Sequence, residues 1–370
     1  MPSAEIVGGG IAGLVAAVVL ARRGWSVRVH ERSPTLRASG NGITIFENGL
    51  RILEAIEPDE DASAYGYVLD RWIIYHNTGE IAVEHDPYES TGGRITMFAR
   101  QAIIDFLAKS ARAAGVEIVL GSKVVSAERE GAVLLEDGTR LTADLVIGAD
   151  GIHSVVRRSV AGNLPLGEHR KVAIRMLIPT EDKDFPGGNN RIGREYNHPN
   201  GRRVGILPVS PTVSYMIVAA LKDDIAAHAV PIDPKLWAES FPTIGTFFER
   251  AGDMGHCDVY YSISPPSWHF GRCALIGDAA HGMTPALGQG ACSSMMTAYA
   301  LASSDFESGP LEAVLGQWEK RIRPLIDFTQ DYAAGITAGR LDPKNEIFFS
   351  APELRSLLNT DVPGWFKKSA

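Results

Sequence analysis

The hydrophobic pattern at the start of the chain changes rhythm twice. Glu5-Ile6-Val7 leads into Gly8-Gly9-Gly10, and an uncharged apolar run then ends at Arg22-Arg23-Gly24. This order predicts a buried strand, a glycine turn, and a helix closed by a C-terminal glycine. From Trp25 to Glu31 apolar residues recur at alternate positions, which predicts a second strand. Strand, helix and strand within about 30 residues make one βαβ unit, and such units imply a parallel sheet. Residues 101–114 carry the period of an amphipathic helix. Residues 133–141 contain Asp137-Gly138, a hairpin signal, and residues 145–148 read as a short buried strand. Between about 171 and 264 the texture shifts to period two, clearest in 172–178, 203–209 and 214–221, which predicts a separate antiparallel sheet. Residues 273–277 return to the buried-strand texture, and 290–304 and 311–338 read as long helices. The expectation is an α/β nucleotide-binding fold that is interrupted by another sheet and then resumed.

The 370 residues allow about two domains. With 45% hydrophobic and 22% charged residues the chain is an ordinary globular one, so disorder and fibrous folds are set aside. A formal charge of -8 without a Lys/Arg stripe argues against a nucleic-acid partner. Cys257, Cys273 and Cys292 are odd in number and lack C-x-x-C spacing, which disfavours a disulfide framework or a Cys-rich metal site. The uncharged run from Ile6 to Ala21 is studded with glycine, follows Glu5, and falls short of the roughly 20 residues a bilayer requires. A cytoplasmic protein with no membrane partner is expected.

Three motifs carry the chemistry. The first is Gly8-Gly9-Gly10-Ile11-Ala12-Gly13, a G-x-G-x-x-G between strand and helix. Gly8 permits the turn, Gly10 lets backbone approach a pyrophosphate, and Gly13 allows close helix–sheet packing. Glu31, at the end of the second strand, is placed to accept from a ribose hydroxyl, the alternative being a solvated strand end. The second motif is Gly148-Ala149-Asp150-Gly151-Ile152-His153-Ser154-Val155-Val156-Arg157, in which Ser154 is a candidate helix cap and a plain Asp-Gly turn is the bland reading. The third is Gly277-Asp278-Ala279-Ala280-His281, continuing through Pro285, Gly288, Gly290 and Ala291 into an apolar helix. An Asp at a strand's C-terminal end grips ligand hydroxyls, and a glycine-rich approach to a helix N-terminus suits a flat ring bearing negative charge. His281 reads as structural, at the start of a helix.

In this order and spacing the trio resembles the signature of the single-component, FAD-dependent aromatic hydroxylases, the para-hydroxybenzoate hydroxylase-like flavoprotein monooxygenases. The resemblance covers nearly the whole chain and is strongest to the branch that acts on hydroxypyridine carboxylates. It implies a Rossmann-like FAD-binding domain (1–70, 98–165 and 270–340), an inserted antiparallel-sheet substrate domain (71–97 and 166–269), and a long C-terminal helix followed by a segment at 341–370. It further implies that Gly8, Gly10, Ile11, Ala12, Gly13, Glu31 and Arg32 hold the ADP half of FAD. Arg100 and Asp278 would lie beside the ribityl chain, and the Pro285 to Gly290 loop would face the flavin ring. Asp150 belongs to a motif linked in the family to both FAD and NAD(P)H. A second G-x-G-x-x-G is absent from the sequence. That suits a family in which NADH or NADPH docks transiently, and the flavin with O2 does the oxidation.

The substrate pocket is less legible. Arg175 stands inside an apolar strand, where burial costs several kcal/mol unless the charge is paired. It reads equally as a grip on a substrate anion, an internal ion pair, or a strand-edge residue. Tyr215 reads as a hydrogen-bond donor to a substrate or as a core tyrosine. The resemblance places both at the substrate, with Arg203, Tyr260 and Pro285 as further candidates; Arg202 competes with Arg203. Thr44 stands where the pyridine branch carries a tyrosine, a departure that bears on substrate identity. The expected substrate is a small anionic aromatic or N-heterocyclic acid, a hydroxynicotinate for example, oxygenated with or without ring opening by a monomer or homodimer. Salicylate-type or polyketide hydroxylation, and a flavin reductase or dehydrogenase that does not use oxygen, are the alternatives.

Overall fold

A computed structural model describes residues 1–36, 41–185, 191–339 and 352–366. Of the segment expected at 341–370, residues 341–351 and 367–370 lie outside these. The strands Ser3–Val7 and Ser26–Glu31 pair in parallel, joined by the helix Ile11–Arg22. They sit in a six-stranded sheet that also takes in Glu117–Leu120, Leu145–Gly148, Cys273–Leu275 and His269–Phe270; only the last pairs antiparallel. The chain leaves this sheet after Gly148 and returns to it more than a hundred residues later, as the sequence rhythm implied. The helix Ile11–Arg22 is apolar all round because it packs against the helices Arg100–Ala113 and Gly290–Ala302 as well as the sheet.

The second large sheet has seven strands, in the order His256–Ser262, Gly167–Pro179, Val213–Leu221, Arg203–Ser210, Ile192–Asn197, Arg71–His76 and Ile81–His85. It is antiparallel except between Ile192–Asn197 and Arg71–His76, which run parallel. That exception has a topological cause: these two strands are joined by a long excursion through the other domain rather than by a hairpin. Side chains alternate across the sheet. Ile174, Met176, Val204, Ile206, Met216 and Val218 bury one face beneath the helices Pro234–Ser240 and Gly245–Glu249, where Trp237, Phe241 and Phe248 complete a separate core. The opposite face, carrying Ala173, Tyr215, Ile217, Ala219 and Tyr260, joins the main core and looks toward the nucleotide-binding sheet.

The helix Leu311–Gly339 runs along this junction despite Pro324 within it. Glu319 on this helix anchors the edge of the six-stranded sheet. Its carboxylate accepts from Ser267 Oγ at 2.9 Å, the Trp268 amide at 2.9 Å and His269 Nδ1 at 2.8 Å, and it pairs with Arg323. Burial alone would raise its pKa, but these donors together bring it down to about 2. A depressed carboxylate stabilises the fold above its ordinary pKa and loses that contribution as pH falls. Glu319→Gln is therefore expected to lower stability at pH 7 by about 2–3 kcal/mol, with the difference from the parent shrinking between about pH 4.5 and 2. Urea melts at several pH values check this.

Candidate active site

The first glycine turn is built as its spacing demands. Gly8 has φ +109°, and a side chain there would collide with the Ala149 carbonyl; one at Gly13 would collide with the carbonyl of Gly8. At Gly10, by contrast, a Cβ meets nothing within 4 Å. The helix that follows has no side-chain cap and no acidic residue in its first turn, so the N–H groups of Ile11 and Ala12 offer partial positive charge to that space. Glu31 is held beside it: its two carboxylate oxygens accept from the amides of Gly9 at 3.0 Å and Ser33 at 2.8 Å, leaving a lone pair on each. Arg32 is exposed next to it. The two glycines give opposite predictions. Gly13→Ala should destabilise the fold by about 1–3 kcal/mol through overpacking. Gly10→Ala, at φ -82°, should melt like the parent when free of cofactor yet bind FAD about tenfold more weakly. Thermal melts and flavin titration separate the two effects.

The second motif braces this turn. Asp150 accepts from Ser154 Oγ at 2.5 Å and from the amides of Val155 at 2.6 Å and Val156 at 3.2 Å, capping the helix Val155–Ala161. Burial nevertheless pushes its carboxyl above the usual range. Ser154 caps the same helix by accepting from the Arg157 amide at 2.9 Å, as its position suggested. Arg157, the last residue of the motif, to which the sequence assigned no role, is buried and donates to the carbonyls of Ala279 at 2.9 Å and Ile152 at 2.6 Å. It ties the second motif to the third.

In the third motif Gly277, at φ +59°, turns the chain beside Ala12, which brings Asp278 to the mouth of the first turn. The Asp278 side chain is open to water on one side and walled by protein on the others. That environment raises its pKa, while Arg100 and Arg175 pull the other way. The carboxylate therefore lies within electrostatic reach of one cation from the cofactor side and one from the substrate side. Pro285 opens a short turn ending at Gly288, at φ +68°, which packs near Phe46 and Thr44. Gly290 then starts the helix Gly290–Ala302, again with no side-chain cap and with open space at its Cα; Ala291 is half-buried in its first turn. Gln289 accepts from Asn48 Nδ2 at 2.9 Å, and its own Nε2 is buried with no partner among the described residues. The motif gave no hint of this spare donor. His281 is buried against Trp268, bonded to Thr297 Oγ1 at 3.0 Å and pushed down to about 3 by burial, so it is a neutral structural group.

Arg175, Tyr215, Arg203 and Tyr260 come together on the free face of the seven-stranded sheet. The strand pairs Arg175 with Ile217 and Leu177 with Tyr215, while Arg203 pairs with Ala219, so all three strands present these residues to one side. Arg175 Nη1 donates to Asp258 at 3.0 Å, and its guanidinium carbon lies 5.8 Å from the centre of the Tyr260 ring. Burial weakens its charge, but Tyr215, Tyr260 and Asp258 together raise its pKa. The ion-pair reading of Arg175 is thus realised, with its other N–H groups available to a second acceptor. Arg203 is paired with Glu195 on the neighbouring strand. Arg202, one residue earlier, points away, to Asp224 at 2.6 Å and Ser240 at 2.8 Å. Alternation along the strand decides between the two arginines. Tyr215 packs on Gly42 and is pushed up to about 12 by burial, so it is a neutral donor. Glu195 and Asp258 belong to this floor, and Lys171 lines a small space beside Arg203 and Tyr260; none of the three was anticipated.

A capless helix start, a fixed carboxylate and glycine-lined space suit the phosphates and ribose of FAD, and Asp278 with the second capless helix suits its ribityl chain and ring. Residues 2–304 match the family described as FAD binding domain. The chain belongs to that family, and it is a flavoprotein monooxygenase. It is 34% identical over 330 residues to a 2-heptyl-3-hydroxy-4(1H)-quinolone synthase of Mycobacteroides abscessus, covering 88% of each chain. It is 33% identical over 302 residues to 3-amino-4-hydroxybenzoate 2-monooxygenase of Streptomyces cremeus, covering 77% of this chain and 74% of that one. Its fold matches 2-methyl-3-hydroxypyridine-5-carboxylic acid oxygenase, described in a tetrameric form, with a TM-score of 0.91 and 32% identity over 98% of both chains. FAD is the cofactor of this monooxygenase, with NAD(P)H as the reductant typical of the family. Among the described residues no group of three or more His, Cys, Asp or Glu is arranged to hold a metal ion, and no helix is long and apolar enough to cross a membrane.

Proposed function

We propose that this monooxygenase uses NADH or NADPH and O2 to oxygenate a small anionic aromatic acid, with a hydroxypyridine carboxylate such as a hydroxynicotinate as its substrate class. One observation carries the reading: a buried sheet face sets Arg175 and Arg203 around a protonated tyrosine, with Asp258 and Glu195 as their ion-pair partners. Likeness to a pyridine-acid oxygenase over the full chain supports it.

FAD, when bound, supplies reduction by the nicotinamide and activation of O2. The chain does the rest. Glu31, Gly10 and the helix start at Ile11 would hold the ADP half, Asp278 and Arg100 the ribityl chain, and residues 285–291 the ring. Arg175 and Arg203 would grip the substrate carboxylate with charge-assisted bonds, and Tyr215 would donate to the ring oxygen or nitrogen and so orient the carbon to be oxidised. The sheet face and the loop at Pro285 close the chamber to bulk water. We place the cofactor's residues in a domain of 1–70, 98–165 and 270–340, and those of the substrate chiefly in an inserted domain of 71–97 and 166–269. Three free cysteines and an acidic surface suit the cytoplasm.

Sequence likeness to a quinolone synthase favours a second reading, in which the ring is a quinolone rather than a pyridine acid. The holoenzyme separates them: hydroxynicotinates, salicylate and an alkylquinolone are each tested for stimulation of NAD(P)H oxidation coupled to product. Strong coupled turnover with the pyridine acid is expected; turnover confined to the quinolone overturns the first reading.

A further inference from the structure

A cleft of about 480 Å³ opens beside the floor, lined among others by Gly167, His169, Ser262, Met283, Gln330 and Ala334. A second cavity of only about 10 Å³ is lined by Lys171, Arg203, Ala219, Tyr260, Ala286 and Thr337. The same elements wall both, and each passes from one to the other in step. The strand Gly167–Pro179 gives residues 167 and 169 to the cleft and 171 to the small cavity; the strand His256–Ser262 gives 262 and then 260. The flavin-facing loop gives 283 and 284, then 286, and the helix Leu311–Gly339 gives 330 and 334, then 337. Steps of two along a strand and of three or four along a helix keep to one face. The small cavity is therefore the inner end of the cleft.

Beyond it lies the floor. Arg203 and Tyr260 belong to both, and Arg175 stands four residues past Lys171 on the same strand face, about 13 Å further in. A space of 10 Å³ has room for about one water, so it is a neck and not a second binding chamber. The charges along the passage are graded: Asp327 and Asp331 line the outer cleft, Lys171 and Arg203 the neck. An anionic headgroup that enters is drawn inward.

We infer that this cleft is the vestibule by which the aromatic acid reaches and leaves the floor, carboxylate leading, with the neck widening as the acid passes. This rests on the reading of the floor as the substrate site. A vestibule residue touches the substrate only in passage, so narrowing the cleft slows association and dissociation equally and leaves the equilibrium unchanged.

Ala334→Trp, on the helix wall, and Ser264→Trp, exposed at the rim, narrow the cleft without touching the floor or the cofactor turns. The holoenzyme is mixed with 6-hydroxynicotinate in a stopped-flow instrument and binding is followed by the change in flavin absorbance. Both rate constants should fall about tenfold with the dissociation constant held within about twofold. Association at the parent rate in both variants overturns the inference, as does weaker binding with unchanged association. Should Ala334→Trp fail to fold, the rim variant carries the test. If the parent flavin does not respond to 6-hydroxynicotinate, the substrate reading fails instead, and the same rate comparison is made with salicylate and an alkylquinolone.

Discussion

Asp278→Ala is expected to purify pale, with FAD bound about 10- to 100-fold more weakly, from the loss of charge-assisted bonds worth about 1.5–3 kcal/mol. The carboxylate stands at the mouth of the first glycine turn, open to water on one side, with Arg100 and Arg175 in electrostatic reach. Removing it takes away the acceptor for ribityl hydroxyls and leaves the two arginines with less compensation. Among the described residues no hydrogen bond is seen to depend on the side chain, so the cofactor-free variant should melt close to the parent temperature. Asp278→Asn separates the two contributions: it keeps an acceptor and loses the charge, and should recover part of the affinity. Calorimetric titration of the cofactor-free protein with FAD gives the numbers. Parent-like affinity in Asp278→Ala would remove Asp278 from the flavin site.

Arg175→Met should raise the KM for the aromatic acid about 10- to 100-fold, with flavin content unchanged and a smaller change in kcat, because the arginine binds ground state and transition state alike. Part of that effect has a second source. Asp258 loses its partner and is left as an unbalanced negative charge on a floor meant for an anion. The double variant Arg175→Met, Asp258→Asn distinguishes the sources: recovery to the parent KM would mean that Arg175 serves only to neutralise Asp258. Arg175→Lys should fall between, since an ammonium keeps the charge without the forked donor set. An unaltered KM in the single variant would make Arg175 a structural ion pair.

The flavin end of the molecule was legible because each of its motifs is local. A turn that needs φ +109° at Gly8 and bare contact at Gly13 excludes other residues within six positions of chain, and the strand and helix on either side announce themselves by rhythm. The hairpin at Asp137-Gly138 was legible for the same reason: Ala132–Leu135 pairs with Arg140–Thr142 around Gly138 at φ +87°. The helices expected at 101–114, 290–304 and 311–338 stand at Arg100–Ala113, Gly290–Ala302 and Leu311–Gly339. The floor was less legible. Asp258 meets Arg175 across 83 positions of sequence, and Glu195 meets Arg203 only because two strands align in register. A carboxylate in a half-polar strand carries no mark of the cation it will face. The roles of Gln289 and Arg157 were hidden because a buried asparagine and the Ala279 carbonyl, their partners, lie on distant elements.

By itself, then, the order of residues determined the βαβ unit, the interrupted nucleotide fold, the glycine turns that leave backbone room, and the arginine and tyrosine worth watching. Those follow from steric limits and periodicity acting over a few turns of chain. Only the tertiary structure decided that Arg203 rather than Arg202 faces the floor, that Arg175 is already paired, that two of the seven strands run parallel, and that the cleft and the neck are one passage. Each of these depends on which face of a strand meets which neighbour, and that is set when separate segments pack together.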